Sequence, residues 1–490
     1  MIQASTNKLQ ELSAAALNRP PTQPVIEFER RWHTAGEMRE VADRLTALLE
    51  ASTATDTAIA FMPRNRPSAI AAMLGMIASG RTMRMLYAFQ SAAAIARDLE
   101  RLKPAVFVAA MEDFSPEVLL ALETFGIAGI ALIEMNAVAV RGYERTQLVQ
   151  ESPRNTHPQI EILTSGTTGP PKQFVISYDM ISRHLIGSGD LSSLPPTVLF
   201  FPLGNISGLY STLPAMLRGQ RAVLLDRFSV AGWHDYVLRY QPEASGLPPA
   251  GVQMVLDAQI PQEDLACIRR LGTGAAPLDP TAHRAFEQRY GIPILLSYGA
   301  TEFGGPVAAM TAELHAQWGQ KKFGSVGRAL PGAQLRIIDT DSGTILPPGS
   351  EGLLEVISPR MGPDWIRTSD IGVIDDDGFL FHRGRADGAI MRGGFKLLPE
   401  TVENALMQHP AVSASAVVGL ADARLGQVPA AAIQFKPGVE QPSVAALEAH
   451  LRTLIYATHI PVTWRFVDEL PRTPSLKVDR PALRRLFENG

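Results

Sequence analysis

The sequence has few of the features that mark secreted or nucleic-acid-binding proteins. Its 490 residues include one cysteine, Cys267, which excludes a disulfide framework or a multi-cysteine metal site and is compatible with a reducing compartment. Because Cys267 lies in an apolar stretch, we interpret it as a packing residue rather than a nucleophile. The formal net charge is −4, so no strongly basic surface is implied and we expect no nucleic-acid partner.

Long apolar runs are also missing. The most apolar stretch, residues 69–80, is too short to cross a bilayer and is bounded by Arg66 and Arg81, so it predicts a buried helix. The N-terminus carries Lys8 and Glu11 without an uninterrupted apolar core, which is not the pattern of a secretory signal. We therefore expect a cytoplasmic protein with no membrane span.

The composition is that of a folded protein, and the order of apolar segments predicts the α/β class. Hydrophobic residues make up 46% and charged residues 19%, and the length requires several domains or subdomains. Short apolar strands alternate with helical stretches from residue 58 to about residue 300, which predicts helix-covered, mostly parallel sheets. Pro280 directly after Asp279 predicts a helix that begins at the proline and is capped by the aspartate.

The pattern changes after about residue 320. Short β-like runs punctuated by Gly, Asp and Pro predict a β-rich subdomain at about 320–386. Past Asp387 the pattern predicts a compact α+β unit, with one of its helices at 443–456. We therefore predict a large N-terminal domain, 1–386, and a small mobile C-terminal domain, 387–490.

Residues 164–172 have the composition of a loop that binds an anion. They comprise four hydroxyl residues, two glycines, two prolines and Lys172. Glycines let backbone N–H groups approach a ligand closely, and the hydroxyls and the lysine add donors. The spacing differs from that of the common nucleotide P-loop, G-x-x-x-x-G-K-[ST]. The alternative interpretation is a polar surface turn.

A second polar segment follows a short apolar strand at 294–297 and reads Tyr-Gly-Ala-Thr-Glu over 298–302. Ligands of parallel sheets bind beyond the carboxyl ends of the strands. The Thr301 hydroxyl and the Glu302 carboxylate suit a phosphate and its Mg²⁺, which favours one or two carboxylates together with phosphate oxygens. The alternative here is a turn with a solvated glutamate.

Five segments in this order resemble the acyl-adenylate-forming superfamily, which includes acyl-CoA synthetases, adenylation domains of peptide synthetases, and luciferases. The segments are 164–172, 272–278, 298–302, 368–372 together with 384–387, and 471–480. The resemblance implies that Glu302 binds Mg²⁺, that Thr301 contacts the α-phosphate, that Asp370 accepts hydrogen bonds from the ribose hydroxyls, and that Lys477 is the catalytic lysine. The resemblance also implies a triphosphate loop, an adenine site and a residue on the ribose and phosphate side. The loop residues are Thr164, Ser165, Gly166, Thr167, Thr168, Gly169 and Lys172, the adenine residues are Gly274, Ala275, Ala276, Pro277 and Tyr298, and the last residue is Arg385.

The resemblance also implies a substrate pocket, a hinge at Asp387, and a coenzyme A segment at Gly393 and Gly394. The pocket residues that it implies are Asn205, Ile206, Ser207, Gly272, Thr273 and Gly299. Relatives that activate α-amino acids typically have Asp near Asn205, so an aryl or medium-chain acid is favoured. Because an amide both donates and accepts, Asn205 suits a ring hydroxyl or amine. The alternative is that Asn205 only caps the next helix.

Three positions depart from the family pattern. Leu476 precedes the catalytic lysine where the family usually has Gly, which places the rate of adenylation in question. Gly388 follows Asp387 where a second acidic residue is common, and Gly loosens a pivot. Asn205 stands in a segment where acyl-CoA synthetases often have His.

The implied activity is that of an AMP-forming acid–thiol ligase that uses ATP, Mg²⁺ and coenzyme A. A carboxylic acid forms an acyl-adenylate, and the C-terminal domain then turns about Asp387, removes Lys477 and brings in Gly393 and Gly394 for thioester formation. One alternative is an adenylating enzyme that passes the acyl group to an acyl carrier protein or an amine. Another is a non-catalytic nucleotide-binding protein on the same scaffold. The oligomeric state stays open.

The role implied for Lys477 yields a first prediction. Replacement Lys477→Ala removes the ammonium group that neutralises charge at the α-phosphate, so we expect it to reduce adenylation much more than thioester formation from preformed adenylate. Single-turnover assays of the two half-reactions measure this difference. Equal losses in both steps would contradict the assigned role.

Overall fold

The computed structural model describes residues 7–53, 57–147, 157–164, 172–393 and 395–488, and the chain divides into two compact units, 1–242 and 243–490. The helices of the first unit are α1 (Lys8–Leu17), α2 (Ala35–Ser52), α3 (Pro67–Ala78), α4 (Ala92–Leu102), α5 (Pro116–Phe125), α6 (Tyr178–His184), α7 (Ile206–Leu217) and α8 (Val230–Tyr240). Its strands are β1 (Pro24–Phe28), β2 (Arg31–Thr34), β3 (Ile59–Met62), β4 (Met83–Met85), β5 (Val106–Ala110), β6 (Ala128–Ile133), β7 (Asn136–Ala139), β8 (Gln159–Thr164), β9 (Lys172–Ser177), β10 (Thr197–Leu199) and β11 (Ala222–Leu224).

The main sheet of the first unit has the strand order β7-β6-β5-β3-β4-β8-β9. Its interior strands are parallel, whereas β7 and β9 pair antiparallel at the two edges. The β3 residues are all buried, as expected for a parallel sheet covered on both faces. Helix α3 begins at Pro67 and is buried along nearly its whole length, which confirms the buried helix predicted from its apolar sequence.

A second sheet of this unit has the order β10-β11-β1-β2, with β10, β11 and β1 parallel. The segment after β10 leads directly into α7, whose first residue follows Asn205. This sheet therefore sets the position of the predicted substrate-contacting residue.

The second unit contains three further sheets. Its helices are α9 (Pro249–Asp257), α10 (Pro280–Tyr290), α11 (Ala312–Trp318), α12 (Pro399–Met407), α13 (Val444–Arg452) and α14 (Arg480–Glu488). Its strands are β12 (Ala244–Gly246), β13 (Arg270–Thr273), β14 (Ile294–Ala300), β15 (Gly305–Ala309), β16 (Arg328–Ala329), β17 (Gln334–Ile338), β18 (Glu351–Ile357), β19 (Ile366–Ile374), β20 (Leu380–Arg385), β21 (Ile390–Arg392), β22 (Phe395–Leu397), β23 (Val412–Asp422), β24 (Gly426–Phe435) and β25 (Thr463–Phe466).

The first of these sheets, β12-β13-β14-β15-β16, is parallel from β12 to β14 and antiparallel beyond. The second, β17-β18-β19-β20, is an antiparallel meander. The third has the order β22-β21-β24-β23, and β25 adds to β24 in parallel. Helices α12 and α13 pack on this third sheet through an apolar core that includes Val402 and Leu447.

The predicted fold class, α/β with a β-rich region and a small α+β region, is confirmed. Asp279 caps α10 as predicted, because its side chain accepts a hydrogen bond from the Ala282 backbone N–H at 2.8 Å. The helix predicted at 443–456 is shorter and ends at Arg452. There the Thr453 backbone N–H and hydroxyl both donate to the His450 carbonyl, which tightens the last turn and ends the helix.

Among the described residues, no helix is both long enough and apolar enough to cross a bilayer.

Candidate active site

The predicted phosphate loop joins two antiparallel strands of the first unit. Thr164 ends β8 and lies opposite Lys172, which begins β9. Because β8 runs parallel to β4, the loop leaves the sheet at the carboxyl end of a parallel strand, where ligands bind. Residues 165–171 lie outside the described residues, so the roles of Ser165, Gly166, Thr167, Thr168 and Gly169 stay predictions.

In the second unit, the predicted α-phosphate and Mg²⁺ residues follow β14 without an intervening loop. Thr301 and Glu302 form a 3-10 turn, Thr301–Phe303, and the Glu302 side chain is exposed. Gly299 lies just before the turn, and a Cβ there would come within 2.5 Å of the Pro306 Cα of β15. Only glycine permits this close pairing of β14 and β15, so Gly299 supports the strand that carries Thr301 and Glu302.

The Asp370 side chain contacts three other side chains of the second unit. It is buried on β19, and its Oδ2 accepts a hydrogen bond from the Tyr298 hydroxyl of β14. Its Oδ1 lies 3.4 Å from His382 Nε2 and 3.6 Å from Arg385 Nη1, both on β20. Burial opposes ionisation, but the hydrogen bonds from His382 and Tyr298 outweigh it and lower the pKa of Asp370. The group is therefore a carboxylate at neutral pH.

Asp370 in turn affects the pKa of Tyr298. Burial first, and then the Asp370 charge, raise the pKa of Tyr298, so the phenol stays protonated and acts as the donor. Tyr298 was predicted to line the adenine site, and its hydroxyl is in fact directed to the predicted ribose carboxylate.

Asp387, the predicted hinge residue, is paired with Arg385, a predicted ATP-binding residue. Arg385 donates two hydrogen bonds to Asp387, from Nε to Oδ1 at 2.9 Å and from Nη2 to Oδ2 at 2.6 Å. The same Nη2 donates to the Ser369 hydroxyl, and Ser369 donates to Asp387. These bonds raise the pKa of Arg385 further and, against the effect of burial, lower the pKa of Asp387.

Lys477 is carried by a tight hairpin of residues 471–479. Arg472 and Val478 form an antiparallel bridge, and the Thr473 backbone N–H donates to the Lys477 carbonyl at 2.8 Å. Arg472 Nη1 also donates to the Leu476 carbonyl at 3.0 Å. The backbone beside the lysine is therefore held on both sides.

The hairpin places Lys477 in the electric field of two other predicted site residues. Partial removal from water and the nearby Arg385 guanidinium lower the pKa of Lys477, while the Glu302 carboxylate opposes the change. Lys477 therefore lies within the electrostatic range of Glu302 and Arg385 in the same unit, and Arg385 Nη1 lies 3.6 Å from Asp370 Oδ1.

An ion-pair cluster that the sequence analysis missed anchors the end of this hairpin. Arg480, at the start of α14, lies 3.3 Å from Glu400 and 3.7 Å from Glu403 of α12. Arg480 and Glu403 both also bond the backbone of Val417. Burial raises the pKa of Glu403 to about 7, although Arg480 acts in the opposite direction. These contacts fix Arg480, three residues after Lys477, to the C-terminal sheet.

The predicted adenine and substrate segment, 272–277, leaves β13 at its carboxyl end. Ala275 has a positive φ of 68°, which a non-glycine residue rarely adopts. Thr273 is buried, and its hydroxyl has no hydrogen-bond partner in the described part of the chain.

Gly272 instead lies on an open face of the sheet. It pairs in register with Gly246 of β12, so the two residues share this face, and Leu295 of β14 is next in line. A Cβ at Gly272 would meet no described atom nearer than 3.9 Å, and one at Gly246 none nearer than 3.6 Å. On this face, β12 and β13 therefore have no side chain at Gly246 and Gly272, and we call this part of the surface the open strip.

In the first unit, Asn205 is the N-cap residue of α7, but its side chain makes no capping hydrogen bond. The interpretation that this amide only caps the helix is therefore wrong. Ile206 and Ser207 follow as the first residues of α7, and their roles in the substrate pocket stay predictions.

A buried asparagine that the sequence analysis missed holds the segment before Asn205. The Asn65 Oδ1 accepts from the Leu203 backbone N–H at 3.1 Å, and its Nδ2 donates to the Leu225 carbonyl at 3.1 Å. Asn65 is 1% exposed, and both ends of its amide are satisfied, so this clamp is rigid.

Gly393 of the predicted coenzyme A segment directly follows β21. Gly393 is exposed with a φ of 58°, and its N–H donates to the Leu425 carbonyl at 2.8 Å. Gly394 lies outside the described residues, so its role stays a prediction.

The fold is that of adenylate-forming enzymes, and the roles of Lys477, Glu302, Arg385 and Asp370 in it stay predictions. The sequence matches the AMP-binding enzyme family over residues 13–363 and the C-terminal domain of AMP-binding enzymes over residues 401–477. The chain belongs to the AMP-binding enzyme family, and the predicted membership of the acyl-adenylate-forming superfamily is confirmed.

The chain is also similar to individual proteins. An indoleacetate–CoA ligase of Aromatoleum aromaticum is 28% identical, with 95% of each chain covered. The amide bond synthetase McbA of Marinactinospora thermotolerans is 25% identical with a TM-score of 0.78, covering 98% of this chain and 99% of that one. ATP-bound MatB of Rhodopseudomonas palustris has the same fold, with 21% identity, a TM-score of 0.81, and 98% and 99% coverage. The predicted enzyme class, an acid–thiol ligase of the AMP-forming type, is confirmed at the level of the family.

The position before Lys477 yields a second prediction. Leu476 has a φ of 61°, in the left-handed region where a side chain costs about 1–2 kcal/mol and glycine costs nothing of this kind. Both Leu476→Gly and Leu476→Ala remove the side chain beyond Cβ, but only glycine relieves the backbone strain. We therefore expect the glycine variant to be more stable than the alanine variant by about 1 kcal/mol.

Denaturant unfolding of the two variants measures this difference. Equal stability of the two variants, or a more stable alanine variant, would show that the backbone at Leu476 is not strained.

Proposed function

We propose that this enzyme activates a carboxylic acid with ATP and transfers the acyl group to the thiol of coenzyme A. In the first half-reaction a carboxylate oxygen attacks the α-phosphorus, and the bond to the leaving pyrophosphate breaks. In the second, the thiol attacks the acyl carbon, its proton passes to solvent, and AMP leaves. The observation that carries the proposal is the buried Asp370 carboxylate with Arg385 3.6 Å away, in the unit where the charges of Arg385 and Glu302 act on Lys477.

Each of these residues has a chemical task in the first half-reaction. The Lys477 ammonium offsets the charge that develops on the α-phosphate oxygens, and the Thr301 hydroxyl donates to the same phosphate. The Asp370 carboxylate accepts from the ribose hydroxyls, since it is ionised and has two oxygens.

Mg²⁺ fits the exposed Glu302 carboxylate at the end of β14. No group of three or more acidic, histidine or cysteine side chains among the described residues forms a closed metal cage. One carboxylate that shares the ion with phosphate oxygens is the usual Mg²⁺ arrangement. The ion would neutralise phosphate charge there.

Thioester formation requires a different arrangement of the C-terminal residues. We propose that the chain turns about Asp387, which withdraws Lys477 and brings Gly393 and Gly394 to the thiol arm. The turn at Gly393 is exposed, and the absence of side chains allows a thin chain to pass close to the backbone. Gly388, beside the hinge, has open space around its Cα, which suits a pivot.

For the acid we propose an aryl carboxylate. The register-paired Gly246 and Gly272 leave a flat, open strip of backbone next to Leu295, on which a planar ring can lie. The indoleacetate–CoA ligase to which the chain is similar acts on such an acid. The role of Asn205 of the first unit, whose amide does not cap its helix and can both donate and accept, stays a prediction.

An amine in place of coenzyme A is the second candidate acceptor. The likeness to the amide bond synthetase McbA, at 25% identity, is the observation that favours it. Both acceptors attack the same acyl carbon, so the two candidates share the adenylation half-reaction and differ only in the second.

Pyrophosphate exchange tests the proposal directly. With ATP, Mg²⁺ and a panel of aryl and aliphatic acids, including hydroxylated and aminated benzoates, we expect exchange that is strongest with an aryl acid. Coenzyme A should then give the aryl thioester and AMP. Absence of exchange with every acid would refute the enzymatic proposal, whereas exchange with transfer only to amines would refute coenzyme A as acceptor.

The open strip yields a separate prediction about substrate size. Gly272→Val places a branched side chain where the ring is proposed to lie, and valine is well accepted in a strand. We expect kcat/KM for the preferred aryl acid to fall about tenfold or more, with little change for a short aliphatic acid. Gly272→Ala should give an intermediate loss. An equal fall for all acids would show that Gly272 does not contact the acyl body.

A further inference from the structure

His382 lies on β20 between Phe381 and Arg383, and none of the predicted roles uses it. It pairs in register with Gly372 of β19, and its side chain is 17% exposed. Its Nε2 lies 3.4 Å from Asp370 Oδ1, and its ring packs against the Tyr298 ring with centroids 5.8 Å apart.

The three partners of Asp370 constrain both of its oxygens. Tyr298 holds Oδ2 from β14, while His382 and Arg385 approach Oδ1 from β20. Tyr298 and His382 each occupy one acceptor position, whereas Arg385, at 3.6 Å, is an ion-pair partner and makes no hydrogen bond to Oδ1. Because each carboxylate oxygen has about two acceptor positions, one remains on each oxygen for a ligand. Two adjacent ribose hydroxyls require that pair of positions in a defined plane.

Neutralising the buried charge does not require His382. A carboxylate in this position is costly unless it is paired, but Tyr298 and Arg385 already supply a hydrogen bond and a positive charge. Arg385 is also committed to Asp387 through two hydrogen bonds, so it is poorly placed to set the orientation of Oδ1. The imidazole is a short and stiff donor, held between Tyr298 and the carboxylate. It can therefore set the orientation of the Asp370 Oδ1.

We propose that His382 is a positioning residue for ribose recognition: its Nε2–H fixes the plane of the Asp370 carboxylate so that both oxygens face the nucleotide. The inference rests on the proposed use of ATP. It assigns His382 the tautomer protonated on Nε2, because an ionised carboxylate can only accept.

Comparison of ATP with 2′-deoxyATP and 3′-deoxyATP tests this inference. His382→Leu keeps apolar volume but removes the donor, and His382→Gln keeps a donor on a flexible side chain. We expect His382→Leu to lower kcat/KM for ATP about tenfold in pyrophosphate exchange, with the KM for the acid unchanged. The loss should be smaller for at least one deoxynucleotide, so the discrimination between ATP and that analogue shrinks. His382→Gln should restore part of the discrimination.

A matched control comes from another histidine–carboxylate pair of the same unit. His315 Nε2 lies 3.4 Å from Glu287 Oε1, the same separation as in the His382 pair, and Glu287 is not one of the proposed ATP-binding residues. His315→Leu should leave the ratio of ATP to deoxyATP activity unchanged.

The outcomes separate this inference from the proposed function. Equal losses with ATP and both deoxynucleotides, or failure of His382→Gln to restore discrimination, would overturn the positioning role. If the wild-type protein gave no exchange with any acid, the proposed function would fail, and calorimetric binding of the three nucleotides to wild type and His382→Leu would still decide the role of His382. Unchanged relative affinities in that experiment would overturn it.

Discussion

The buried carboxylate of Asp370 is the constraint around which the second unit assembles its polar site. An unpaired buried charge is costly, so the chain must bring donors to it from more than one strand. Tyr298 arrives from β14 and His382 and Arg385 from β20, and these contacts tie the mixed sheet to the antiparallel meander. The requirement to solvate one carboxylate thus holds the end of β14, which leads into Thr301 and Glu302, against β19 and β20.

Arg385 then links this group to the C-terminal residues. Its guanidinium pairs with Asp387 and lies close enough to Lys477 to lower the pKa of that amine. Lys477 is presented by a hairpin that Arg472 and Arg480 fasten at its two ends. Arg385 is therefore held by a carboxylate, and Arg472 and Arg480 donate hydrogen bonds to backbone carbonyls.

Much of this could be predicted from the sequence where the signal is local. The Asp279 cap, the apolar α3 and the strand before Tyr298 depend on neighbouring residues, and each was found close to its predicted place. The roles of Lys477 and Asp370 came from motif resemblance. His382 and Asn65 were missed because the residues on which they act lie 12 and 138 positions away, and no local sequence pattern links a side chain to a partner at that separation. The early end of α13 at Arg452 likewise depends on a hydroxyl that competes for one backbone carbonyl.

The strip formed by Gly246 and Gly272 has a consequence for how the enzyme can change. A surface made by missing side chains is already at its widest, so any substitution there can only narrow it. With an acid placed on the strip as proposed, apolar substitutions at these two positions would reduce the thickness of the acid that the enzyme accepts. On that proposal, variation at Gly246 and Gly272 can restrict the range of acids but cannot extend it.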